Sequence, residues 1–124
     1  MDSAAKAANG KLLANLALAV SAQGLLEALY LGEAEGLDAP EILPMLDYTG
    51  LAFIKNMKAP FILGERETTP GDFTVDAIAK NAQLMIDTAS AELGAARAAL
   101  GSLQGEQDTG RGDHDFSSMI VHRR

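Results

Sequence analysis

Residues 9 to 29 read NGKLLANLALAVSAQGLLEAL, an apolar run with a lysine and an asparagine four residues apart at its head. A helix turns about 100° per residue, so Lys11 and Asn15 lie about 40° apart and share one face. Gln23 and Glu27 repeat the step, but the drift of about 40° per step carries Glu27 about 160° from Lys11. Between Leu12 and Leu31 apolar side chains occupy nearly every side, the pattern of a central helix that needs partners around it. From Ser3 to Leu31 nothing forbids helix, although Gly10 and Gly24 each cost about 1 kcal/mol against alanine. At a rise of about 1.5 Å per residue the rod is about 40 Å long, more than a chain of this size covers by itself. Part of its surface is therefore expected to meet a second subunit, and a homodimer through the long helix follows.

The chain has 124 residues, enough for a single domain (1–124) that buries roughly two thirds of its unfolded surface. Apolar residues make up 48% and charged ones 22%, the balance of an ordinary globular domain, and abundant alanine and leucine favour helices. The net charge of −7 repels phosphate backbones and anionic lipid, so neither a nucleic-acid nor a membrane partner is expected. Without cysteine there can be no disulfide, thiolate metal site or cysteine nucleophile. His114 and His122 fall short of the ligand number a metal needs, and no metal site is expected.

Lys6 and Lys11, then LLANLALAV, then AVSA imitate the charged, apolar and cleavage regions of a secretory signal. The apolar run nevertheless continues past the cleavage point to Leu31, and Asn15, Gln23 and Glu27 would each be costly in hydrocarbon. The expectation is a soluble helix in a cytoplasmic protein, with loss of residues 1–22 on export as the competing reading.

Beyond the rod, Gly32 and Gly36 punctuate and LDAPE restarts the chain. Asp38 with Glu41 makes a capping box, Pro40 falls in the first turn, and Pro44 ends or kinks this short helix within two turns. GLAFIKNMK, residues 50–58, predicts another short helix with Leu51, Ile54 and Lys58 on one side. APFILGERETTPGD, residues 59–72, reads as a loop. Phe73 opens a second long helix in which Ile78, Met85, Ile86, Ala89 and Leu93 form the core stripe, with Asp76, Lys80, Gln83 and Asp87 opposite and Gly94 as terminator. AARAALGSLQ continues as a weaker helix until Gly105, EQDTGRGDHD is a polar loop, and DFSSMIV closes the chain as one or two helical turns capped by Asp115. No segment alternates as a half-buried strand must, so the domain is all-α.

With the helices placed, the Lys11–Asn15–Glu27 series followed by Gly36-Leu37-Asp38 resembles the C-terminal helical domain of the β-hydroxyacid dehydrogenases, the family of 3-hydroxyisobutyrate dehydrogenase. FTVDAIAKNAQL, residues 73–84, is similar to that family's phenylalanine, lysine-aspartate and leucine pattern, and GDHDFS, residues 112–117, resembles its closing segment. The likeness spans almost the whole chain. Ala5 and Ala7 stand where the family has glycines, Asn81 stands where it has aspartate, and no strand followed by a GxGxxG turn is present.

The resemblance implies a 6-phosphogluconate dehydrogenase C-terminal-like fold and an oxidoreductase half acting on a small hydroxy acid or semialdehyde. It also implies NAD or NADP bound mainly by a separate Rossmann domain, without which the chain is not active. By the same resemblance Lys11 is the catalytic general acid/base, Asn15 its substrate-binding partner, and Lys80 a cofactor-binding residue on the nicotinamide side. A lysine suits the proton step when its amine can be deprotonated near working pH, and its charge favours a small carboxylate substrate. Simpler readings stand beside these. Asp76 and Lys80 are spaced for an i,i+4 ion pair, Glu27 ties the long helix to a neighbour, and the RGD at 111–113 is a chance tripeptide. The alternative to an enzyme half is a non-catalytic helical dimerisation or binding module.

Overall fold

The structure, a computed structural model, describes residues 3–123. Among them are six helices: α1 (Ser3–Ala34), α2 (Ala39–Met45), α3 (Ala52–Ile62), α4 (Val75–Thr88), α5 (Gly94–Asp108) and α6 (Ser118–Val121). No strand forms among the described residues, although a single antiparallel bridge joins Thr74 to Asp115. The fold is all-α.

α1 is one unbroken rod whose two halves have different surroundings. Ala19, Ala22, Leu25, Leu26, Leu29 and Gly32 are buried, whereas no residue from Ser3 to Leu18 is. The C-terminal half is the axis of the fold. There α4 and α5 pack on each other and both pack on α1, while α2, α3 and α6 close the remaining sides. Leu25, Leu29, Ile54, Ile78, Leu103 and Phe116 are fully buried in this core, and burying side chains of this kind contributes about 1.5–3 kcal/mol each. The N-terminal half stands clear, with Leu13 66% exposed. By length and composition α1 also qualifies as a membrane span, with 28% of its apolar window buried in the fold.

Gly32 does not punctuate α1 but lies within it. A Cβ there would stand 2.5 Å from Ile42 Cδ1, so glycine is what lets α2 approach the rod. The helix closes at Gly36, whose φ of +89° is left-handed backbone that glycine adopts without strain. The Glu41 N–H donates to the Asp38 carboxylate at 3.0 Å and the Asp38 N–H donates to the Glu41 carboxylate at 3.1 Å, completing the capping box. α2 then stops one residue after Pro44.

Several boundaries differ from the sequence reading. α3 runs through Pro60 to Ile62, into the stretch expected as loop, because Lys58 and Phe61 are buried on its last turns and that burial outweighs the bond proline cannot donate. α4 begins after Phe73, with the Thr74 hydroxyl accepting the Ala77 N–H at 3.1 Å. It stops at Thr88, where Ala89 turns extended, so Ala89 and Leu93 belong to a connection and not to the helical stripe. Gly94 opens α5 instead of terminating α4. α5 continues past Gly105 to Asp108 because Ala96, Ala99, Leu100, Leu103 and Glu106 form one buried face.

Candidate functional site

The uncovered half of α1 lies along α4, and between them runs an open groove of about 550 Å³. Asn9, Lys11 and Asn15 line it from α1, and Asn81, Leu84 and Thr88 from α4. The helical step that puts Lys11 and Asn15 on one face thus delivers both to one concavity, and the packing of α4 brings Asn81 in opposite them. Asn15 and Asn81 are half-buried and Lys11 is exposed. The side chains of Lys11, Asn15 and Asn81 make no hydrogen bond or ion pair with another described residue. Polar groups nearby are paired: on α4 Gln83 donates to Asp87 at 3.0 Å. An ammonium beside unpaired carboxamides can hold a carboxylate and a hydroxyl at once, since each carboxamide both donates and accepts.

Lys80 is exposed on α4 and does not line this groove. No ion pair joins it to Asp76 among the described residues, because the Asp76 carboxylate accepts instead from Gln107 of α5 at 2.8 Å. Glu27 is not itself the tie to a neighbouring helix. It accepts from Gln23 at 2.9 Å on its own helix, and Gln23 in turn accepts from Ser102 of α5 at 2.6 Å. The RGD tripeptide is built into the fold: Arg111 grips Glu106 through two bonds of 2.8 and 3.1 Å, and Gly112 packs against the Asp76 carboxylate.

His114 shares a 2.6 Å hydrogen bond with the Thr68 hydroxyl and His122 a 2.8 Å one with the Ser118 hydroxyl. Their rings meet edge to face with centroids 6.1 Å apart. Among the described residues no three His, Asp or Glu side chains gather as a metal site.

The strongest electrostatic feature is one that local sequence does not announce. Lys58 Nζ donates to Asp115 Oδ2 at 2.9 Å and lies 3.8 Å from the centre of the Phe116 ring. Asp115 does not cap α6 as expected. Its carboxylate accepts from the Ser117 N–H at 3.0 Å and the Phe73 N–H at 3.3 Å, so it braces the turn ahead of the helix. Burial pushes the Lys58 pKa down against the opposing pull of Asp115. For Asp115 burial works upward, but the bonds from Lys58 and Ser117 outweigh it and hold the carboxyl below its usual value. Glu106 is similar: burial raises it, and Arg111 with the Ser118 hydroxyl, 2.6 Å away, brings it below the usual value. The available signals were Lys58 sharing a face with Ile54 and Asp115 leading an apolar run. No cavity opens on the Lys58–Asp115 pair among those described, so it is a structural clamp.

No protein-family model and no curated protein matches the chain.

Proposed function

We propose that this chain is the helical half of an NAD(P)-dependent oxidoreductase of the β-hydroxyacid dehydrogenase type, with the 6-phosphogluconate dehydrogenase C-terminal-like fold. It acts on a small hydroxy acid or semialdehyde once a nucleotide-binding domain is brought to it. The observation that carries this reading is the meeting of Lys11 and Asn15 with Asn81 in one open groove on an otherwise uncovered stretch of helix. Lys11 exchanges the proton of the substrate hydroxyl, Asn15 holds that hydroxyl in line, and the ammonium form of Lys11 draws the substrate carboxylate. NAD or NADP, when bound, supplies the hydride acceptor. The residues described here fit only its edge: Lys80, exposed and without a partner among them, can meet an anionic cofactor carried by a second domain.

The test is an assay of the chain mixed with the nucleotide-binding domain of a β-hydroxyacid dehydrogenase, against a panel of small semialdehydes and hydroxy acids. Nucleotide-dependent turnover that requires both components supports the reading. Absence of both turnover and complex formation across the panel would overturn it.

A second reading, a non-catalytic self-associating helical module, has its own observation. Phe53 is 71% exposed and Met57 37%, and with Ala14, Ala17 and Leu18 they line an apolar groove between α1 and α3. Sedimentation at micromolar concentration tests it, a stable monomer counting against it.

A further inference from the structure

We propose that α1 is the seam of a two-fold homodimer, paired antiparallel with α1 of a second copy so that Lys6 of each meets Glu27 of the other. The face that pairs lies away from Lys11, so the inference stands independently of the chemistry proposed for that residue.

Lys6, Leu13, Val20 and Glu27 follow one another at seven-residue steps. Each step returns a helix to within about 20° of the same side, a drift that a shallow left-handed supercoil removes. Lys6, Leu13 and Glu27 are exposed and Val20 is half-buried. Val20 sits nine residues before the buried Leu29, about 180° round the helix, so the stripe is turned away from the core. Lys11 lies about 160° from Leu13, and the groove it lines stays open in the pair. Along the flank of the stripe run Gly10 and Ala17, both exposed, and Gly24, half-buried beside the Leu51 side chain. Such small residues admit a second backbone closely.

Charge decides the occupant and its direction. As far as Leu26, α1 carries Lys6 and Lys11 without an acid; from there to its end it carries Glu27 and Glu33 without a base. A lone helix favours the reverse, acids at its positive N-terminal end and bases at its negative C-terminal end. A second α1 laid antiparallel corrects both ends at once, whereas a parallel one sets lysine on lysine and glutamate on glutamate. One two-fold axis beside Ala17 serves every layer: Lys6 faces the partner's Glu27, Gly10 the partner's Gly24, and Leu13 the partner's Val20. Leu13, 66% exposed, is then covered. Glu27 accepts only from the neutral Gln23, and no ion pair holds it or Lys6 among the described residues.

The experiment is sedimentation equilibrium of the full chain at micromolar concentration and fixed ionic strength, with charge-reversed variants. Wild type is expected to dimerise. Lys6→Glu and Glu27→Lys should each weaken the dimer by about tenfold or more, since each sets two like-charged pairs in the seam. An equimolar mixture of the two variants should recover wild-type affinity, because both pairs are then opposite in charge; a general loss of fold would not recover. The chain has no cysteine, so single cysteines report the register. On oxidation Ala17→Cys should form an intermolecular disulfide, which needs Cα atoms about 4.4–6.8 Å apart. Leu31→Cys should not, because the antiparallel pair holds it about 40 Å from its copy.

A wild-type monomer throughout the concentration range, or a mixture no tighter than either variant alone, would overturn the dimer proposed here. Leu31→Cys cross-linking as readily as Ala17→Cys would overturn its antiparallel direction.

Discussion

The Lys58 ammonium donates to the Asp115 carboxylate across 2.9 Å with both side chains almost wholly buried, 4% and 3% exposed. It pins α3 to the segment that leads into α6, partners 57 residues apart in sequence. Removing either member leaves the other charge buried without compensation, which costs about 3–5 kcal/mol. Asp115→Ala and Lys58→Ala are therefore each expected to lower the urea midpoint strongly. The double variant should lose much less than the sum, because the two positions are coupled. Additive losses would show that the pair is not a unit.

The same carboxylate gives a pH dependence of definite sign. Asp115 and Glu106 both have folded pKa values below their usual ones, despite burial that works the other way. In that window the folded state binds fewer protons than the unfolded one, so stability rises with pH. Their contribution is whole above the ordinary carboxylate range and is lost as pH falls through the folded values. Urea midpoints measured on acidification should drop through this window, and the acid limb should flatten in a variant carrying Asp115→Asn and Glu106→Gln. Parallel limbs for wild type and variant would contradict the assignment.

Two glycines predict opposite effects. A Cβ at Gly71 would stand 2.7 Å from the Asp115 nitrogen and 2.8 Å from the Asp113 oxygen, both backbone atoms. Gly71→Ala therefore forces the segment holding Asp115 away and should cost about 1–3 kcal/mol. At Gly105, inside α5, a Cβ meets nothing within 4 Å, so Gly105→Ala should stabilise by up to about 1 kcal/mol. Thermal unfolding of the two single variants checks both signs.

Leu13 and Phe53, 66% and 71% exposed, lie on the part of the molecule expected to meet another chain. If that surface self-associates, Leu13→Glu with Phe53→Glu should shift the chain toward monomer in sedimentation without changing its helicity, since neither residue is in the core. An unchanged assembly state would place the contact elsewhere.

What could be read without the fold was what local rules decide. The rod from Ser3 onward follows from unbroken helical permissiveness, the Asp38–Glu41 box from two adjacent bonds, and the shared face of Lys11 and Asn15 from the helical step alone. What could not be read depends on partners distant in sequence. Ala89 and Leu93 keep the helical spacing of α4, so nothing local marks the break at Thr88. Lys58 reads as an ordinary lysine and Asp115 as an ordinary cap until the packing of α3 on the C-terminal segment brings them together. In the groove, Lys11 and Asn15 were visible in the sequence, but the place of Asn81 opposite them, and of Lys80 outside, is set by how α4 lies on α1.

The most direct test of the central claim compares Lys11→Ala with wild type in the mixture with a nucleotide-binding domain, each at equal helicity and equal complex formation. Turnover falling by about a hundredfold or more, the scale of a lost general acid/base, is the predicted result. Turnover equal to wild type would show that the amine at the head of the long helix takes no part in the chemistry.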